Sequence, residues 1–140
     1  MKKMLKFVAA LGFSLSAAAG ADSLVSASPE GAALYFVTPQ DGAVITGPVK
    51  VGFGLSGMGV APAGVARDNT GHHHILINKD QLPEAGKPMG KDVKHFGGGQ
   101  TEAVLDLPEG QHTLQLILGN HLHIPHDPFV VSEKITITVK

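Results

Sequence analysis

The chain has 140 residues, 43% of them hydrophobic and 16% charged, a formal net charge of −1, and no cysteine. The charge balance offers no basic surface for nucleic acid. The missing cysteines exclude disulfides, thiolate metal sites and anchoring through a lipidated cysteine.

The first elements predict export. Lys2, Lys3 and Lys6 precede and enter an apolar run from Leu5 to Ala19, and Ala19-Gly20-Ala21 has the small-residue pattern of a cleavage site. That order is a secretory signal peptide over residues 1–21, with a periplasmic or secreted mature chain from Asp22. Cleavage removes three lysines and leaves the mature chain acidic. The apolar run is shorter than a membrane span and no later stretch reaches span length, so no membrane span is expected. Residues 22–33 are small and polar and read as a flexible leader. Residues 34–140 read as a single domain.

Within that domain, short strands alternate with turns. Leu34 to Thr38 is the first strand and ends at the turn signal Pro39-Gln40-Asp41-Gly42. Val49, Val51, Phe53 and Leu55 occupy every second position of the next, the period of a half-buried strand. His73 to Asn78 is a third, with Ile75 and Ile77 facing the core. Thr101 to Leu107 is a fourth, and Pro108-Glu109-Gly110 turns it into a fifth at 111–119, where Leu114, Leu116 and Leu118 alternate. Ile135, Ile137 and Val139 form the last. With 18 glycines, 9 prolines and no amphipathic helix pattern, the expected fold is all-β: one immunoglobulin-like sandwich of about seven strands.

Seven of the eight histidines fall in three loop-marked segments: His72-His73-His74, His95, and His121, His123 and His126. In the sandwich the strand at 111–119 runs antiparallel to that at 73–78, so the start of one lies beside the end of the other. The segment with His95 leads into the strand at 101–107, whose start is expected at the same pole. Met58, in a Gly-Met-Gly loop, belongs there too, whereas His112 opens the fifth strand at the far end. If Ile75 and Ile77 face the core, His72 and His74 face outward, and the strand period continued past Gly119 sets His121 and His123 outward as well. Two H-x-H pairs in extended chain each place both rings on one face, at a spacing two ligands of one ion can use.

The expected site is therefore one transition-metal ion, copper or zinc, held by a subset of His72, His74, His95, His121, His123 and His126. Met58 is a further candidate as a thioether that would tilt the site toward Cu(I), Asp127 as a carboxylate orienting a ligand imidazole, and His73 as an additional ligand or a hydrogen-bonded core-edge residue.

Gly57-Met58-Gly59-Val60-Ala61-Pro62-Ala63-Gly64, Asn69-Thr70-Gly71-His72-His73-His74, His95-Phe96-Gly97-Gly98-Gly99-Gln100-Thr101-Glu102, Leu107-Pro108-Glu109-Gly110-Gln111-His112-Thr113-Leu114 and His121-Leu122-His123-Ile124-Pro125-His126-Asp127-Pro128 carry a family resemblance. Over about residues 34 to 139 the chain resembles the bacterial secreted family DUF4399, a domain of unknown function. The resemblance implies a small periplasmic β domain and supplies no catalytic residues.

Three function classes follow: a metal-binding protein acting in copper or zinc handling or storage; a metalloenzyme; and a module that meets a protein, glycan or acidic ligand without a metal. Residues 71–120 approach a cupin pattern through His72-x-His74, Pro108-x-Gly110 and His112. They lack its glutamate, where Asn78 and Lys79 stand, and its asparagine, where Leu116 stands. A dismutase-like copper site finds no assignable proton relay or catalytic arginine, Arg67 being the only arginine. The sequence favours binding over catalysis.

Overall fold

The computed structural model describes residues 23–140, so the expected signal peptide at 1–21 lies outside the described residues. Among the described residues there are nine strands and no helix: β1 (Ala33–Thr38), β2 (Val44–Ile45), β3 (Val49–Ser56), β4 (Gly59–Val60), β5 (Thr70–Ile77), β6 (Lys94–Phe96), β7 (Glu102–Leu105), β8 (Gly110–Gly119) and β9 (Ile135–Val139). Among the described residues no helix is long and apolar enough to cross a membrane. One sheet has the order β1-β3-β7, and the other the order β2-β9-β8-β5-β4 with β6 pairing β5 on its far side. The fold is an all-β sandwich. Six of its strands are those the alternating sequence implies; the two- and three-residue strands β2, β4 and β6 carry too few positions to show a period.

Alternation builds the space between the sheets. Val49, Val51 and Phe53 from β3, Leu105 from β7, Ile75 from β5, Leu114, Leu116 and Leu118 from β8, and Ile135, Ile137 and Val139 from β9 form one buried cluster. Gly71, His73, Ile75 and Ile77 share that face of β5, because successive residues of a strand point to opposite sides. β5 and β8 run antiparallel in the register His72↔Gly119, His74↔Ile117 and Leu76↔Gln115, as the sequence implies.

The second face of the β5–β8 sheet is not open to water. Leu76, Ile117 and Val93 form a second buried cluster there, with Met89, Phe129 and Val131 packed against it. Two connections cover this face, residues 78–93 between β5 and β6 and residues 120–134 between β8 and β9. His72 and His74, expected to face outward, do leave the main core. They lie under this covering, only 0% and 1% exposed.

The segment expected to be a leader is tied down between Leu24 and Ser28. Asn120 Nδ2 donates to the Leu24 carbonyl at 2.9 Å and to Ser26 Oγ at 3.1 Å. The backbone of Ser26 and Ser28 pairs with that of Asp127.

Candidate metal centre

Three side chains of the site follow from strand pairing alone. His72 and His74 are two apart on β5 and share its second face. β6 pairs with β5 so that His95 stands opposite His74, and opposed residues of antiparallel strands hold their Cβ atoms roughly 5 Å apart. Two glycines clear the space these rings occupy. A Cβ on Gly119 would stand 2.7 Å from His74 Cε1. A Cβ on Gly97 would collide with the His95 ring.

His123 reaches the site by another route. β8 ends at Gly119, and Asn120 organises a tight turn. The buried Asn120 side-chain oxygen accepts hydrogen bonds from the backbone N–H groups of Leu122 and Ile124, at 2.9 and 3.1 Å. Its own backbone N–H donates to the Ile124 carbonyl and its carbonyl accepts from His123 N–H, each at 2.9 Å. Side-chain bonding of this kind is what makes asparagine a turn former. The turn holds His123 at φ 63°, a conformation few residues other than glycine adopt, and swings its ring over the sheet.

His72, His74, His95 and His123 each place one ring nitrogen so that all four lie within 4.8 Å of one another. The rings pack around a common centre: His72–His74 centroids are 4.7 Å apart, His72–His95 5.0 Å, His72–His123 5.0 Å and His95–His123 4.6 Å. His72 Nε2 and His123 Nδ1 are 3.0 Å apart. Which of the two donates and which accepts is set by their tautomers.

Electrostatics set the ionisation. Burial pushes the His72 imidazole down to about 4, with the positive charge that His123, His95, His73 and His126 would carry adding to the effect. Burial likewise pushes His74 down to about 3, aided by His72, His95 and His123. His95 is lowered by desolvation and then by His123. His72 and His74 are thus held neutral at pH 7, the form that ligates, and His95 is biased in the same direction. The Nδ1 atoms of His72 and His74 are buried with no hydrogen-bond partner, an arrangement that costs about 1–3 kcal/mol per group.

The group opens on one side into a pocket of about 230 Å³ lined by His74, His95, His123, Met89, Gly90, Lys91 and Val93. Met89 enters through the covering connection 78–93 and its N–H donates to the His123 carbonyl at 2.9 Å. Residues 78–93 carry no strand period that would place Met89 from the sequence.

The other expected residues sit apart from the four. His121 leaves the turn on its far side, facing Ser26, Ala27 and the Ala66–Asn69 stretch; the turn at Asn120, not a continued strand, separates it from His123. His126 is buried, but its Nε2 donates to the Thr70 carbonyl at 3.1 Å. His73 faces the main core, with its ring centroid 4.9 Å from that of Phe53 and neither nitrogen hydrogen-bonded, so it is not the hydrogen-bonded core-edge residue expected. Met58 packs against the main core, on the opposite side of the sheet. Asp127 is exposed and engages the N-terminal segment through its backbone. At the other end of β8, His112 Nε2 donates to the Pro108 carbonyl at 2.8 Å and Nδ1 meets Asn78 Nδ2 at 2.9 Å. The cupin pattern, which needs His112 beside His72 and His74, is not assembled.

A family model described as a domain of unknown function, DUF4399, matches residues 51–140. No curated protein matches the chain. Among solved structures, the endo-β-1,4-mannanase from Thermotoga petrophila is similar at 19% identity with a TM-score of 0.46, over 78% of this chain and 20% of that one. The chain thus spans about a fifth of that protein's length.

Proposed function

This chain belongs to the DUF4399 family, whose description assigns no activity, and we propose that it is a metal-binding protein holding one copper or zinc ion between His72, His74, His95 and His123. The observation that carries this reading is the convergence of four imidazole nitrogens within 4.8 Å. Desolvation supports it, because imidazoles kept neutral present lone pairs without first losing a proton. Four nitrogen donors and no thiolate suit Cu(II) and Zn(II), and the affinity order favours copper where both are available. Together with the export signal read at residues 1–21, the reading is of copper or zinc handling in the periplasm or outside the cell.

The pocket beside the rings is lined by His74, His95, His123, Met89, Gly90, Lys91 and Val93, a wall without serine, carboxylate or arginine, which favours holding an ion over turning over a substrate. Native mass spectrometry of tag-free protein loaded with Cu(II) or Zn(II) tests the reading. One ion per chain is expected, with thermal stabilisation of about 2.7 kcal/mol at a hundredfold excess over Kd. A protein that stays metal-free at pH 7.5 in both titrations would refute it.

A further inference from the structure

Building on the four-histidine reading, we infer that Met89 supplies a thioether to the same ion, which makes the site one for copper and lets it hold Cu(I) as well as Cu(II). The side chain is where such a donor is needed. His72 is fully buried and contributes nothing to the wall of the pocket that opens beside the group, so it forms the back of the site. The wall is made by His74, His95 and His123 together with Met89, Gly90, Lys91 and Val93. Gly90 and Val93 bring no side-chain donor, and Lys91 brings a cation that repels a metal ion. The thioether is the one soft donor on that wall.

Two further observations fix Met89 against the rings. Its methyl carbon would lie 2.9 Å from a Cβ on Gly119, and His74 Cε1 would lie 2.7 Å from the same atom, so the two are neighbours across a glycine. Its N–H donates to the carbonyl of His123, which ties the backbone of the methionine to that of a ligand histidine. Met89 is half-buried and packs on Leu76, Val93 and Ile117. Its unbranched chain can turn the sulfur toward an ion without disturbing the backbone. A thioether adds little for Zn(II) but is a preferred donor for Cu(I), so the pairing of imidazoles with one sulfur distinguishes copper from zinc.

Met89→Leu keeps the volume and apolar packing and removes only the sulfur. Tag-free wild type, Met89→Leu and the control Met58→Leu would be titrated with Cu(I) against a coloured Cu(I) chelator without oxygen, and separately with Zn(II). We expect Met89→Leu to weaken Cu(I) by about tenfold or more, the scale of losing a ligand or its support. Its Zn(II) affinity should stay within about threefold, zinc being satisfied by the imidazoles, and Met58→Leu should match wild type for both ions. X-ray absorption of the Cu(I) protein should show a sulfur neighbour that Met89→Leu lacks.

Unchanged Cu(I) affinity in Met89→Leu, an equal loss of both ions, or no sulfur neighbour in wild type would each overturn the inference while leaving the four-histidine site standing. Wild type that binds neither ion would overturn that site, and the inference with it.

Discussion

The two faces of the β5–β8 sheet share a backbone and differ in everything else. One faces the β1-β3-β7 sheet and, His73 aside, is built on apolar residues, with Ile75, Leu114, Leu116 and Leu118 essentially without exposure. The other carries His72, His74 and Gly119 beside Leu76 and Ile117 and is roofed by connections instead of a sheet. The triplet His72-His73-His74 is cut by the strand period into one core residue and two site residues. Burial alone therefore does not mark the site, since all three rings are almost wholly buried. What separates them is company: His73 has Phe53, whereas His72 and His74 have two more imidazoles.

The largest test of this contrast is acid. Burial lowers His72 and His73 to about 4 and His74 to about 3, against about 6.5 in an unfolded chain. Between those values the unfolded chain binds more protons than the folded one, so stability is complete above about pH 6.5 and falls as the pH drops toward 4. Each fully buried ring contributes on the order of 3 kcal/mol to that loss. Urea unfolding of metal-free protein at pH 7.5 and pH 4.5 should show it. His73→Leu should flatten the loss by about one proton while leaving metal affinity unchanged, because His73 serves the other face. A pH-independent unfolding midpoint would contradict the neutral, buried state of all three rings.

Next in size is the core face. Leu116→Ala should cost about 2–5 kcal/mol in denaturant unfolding, as truncation of a fully buried leucine does, with metal stoichiometry kept. His74→Ala should do the reverse. It should lose metal affinity by about tenfold or more, yet cost the metal-free protein little, because it removes a buried nitrogen that has no partner. If Leu116→Ala abolished metal binding in protein that remains folded, the two faces would not be separable in this way.

The smaller effects sharpen the boundary of the site. Asn120→Ala removes the oxygen that holds the Leu122 and Ile124 N–H groups. It should weaken metal binding by freeing His123, with a stability loss of about 1–3 kcal/mol for the orphaned groups. His112→Ala is the smallest: its bonds to Asn78 and Pro108 lie at the other end of β8, roughly 25 Å of strand from the site. Isothermal titration should find its metal affinity within about twofold of wild type, outside any shared coordination sphere.

How far the sequence reveals these features follows from where periodicity runs out. The alternating leucines of β8 and isoleucines of β5 imply their pairing, and that pairing alone brings the H-x-H of β5 to the end of β8. His123 required more. Extending the strand period past Gly119 sets His121 and His123 together, but the Gly119-Asn120 pair, a recognisable turn signal, ends the strand and sends the two rings to opposite sides. Met89 gives no signal at all. Its connection has no period, so the methionine with a sequence-visible glycine frame, Met58, draws the expectation, and packing places it on the other side of the sheet. The roof over the second face is invisible for the same reason, and alternation alone makes His72 and His74 look solvent-facing.

A strand pair and one asparagine-built turn bring four imidazole nitrogens within 4.8 Å of one another, and the proposed function is that they hold a single ion. Anomalous diffraction from crystals of the copper- or zinc-loaded protein addresses it most directly. One metal peak bonded to nitrogens of His72, His74, His95 and His123 is the result expected. A metal held instead by His121 or His126, or no metal peak within reach of His74, would contradict it.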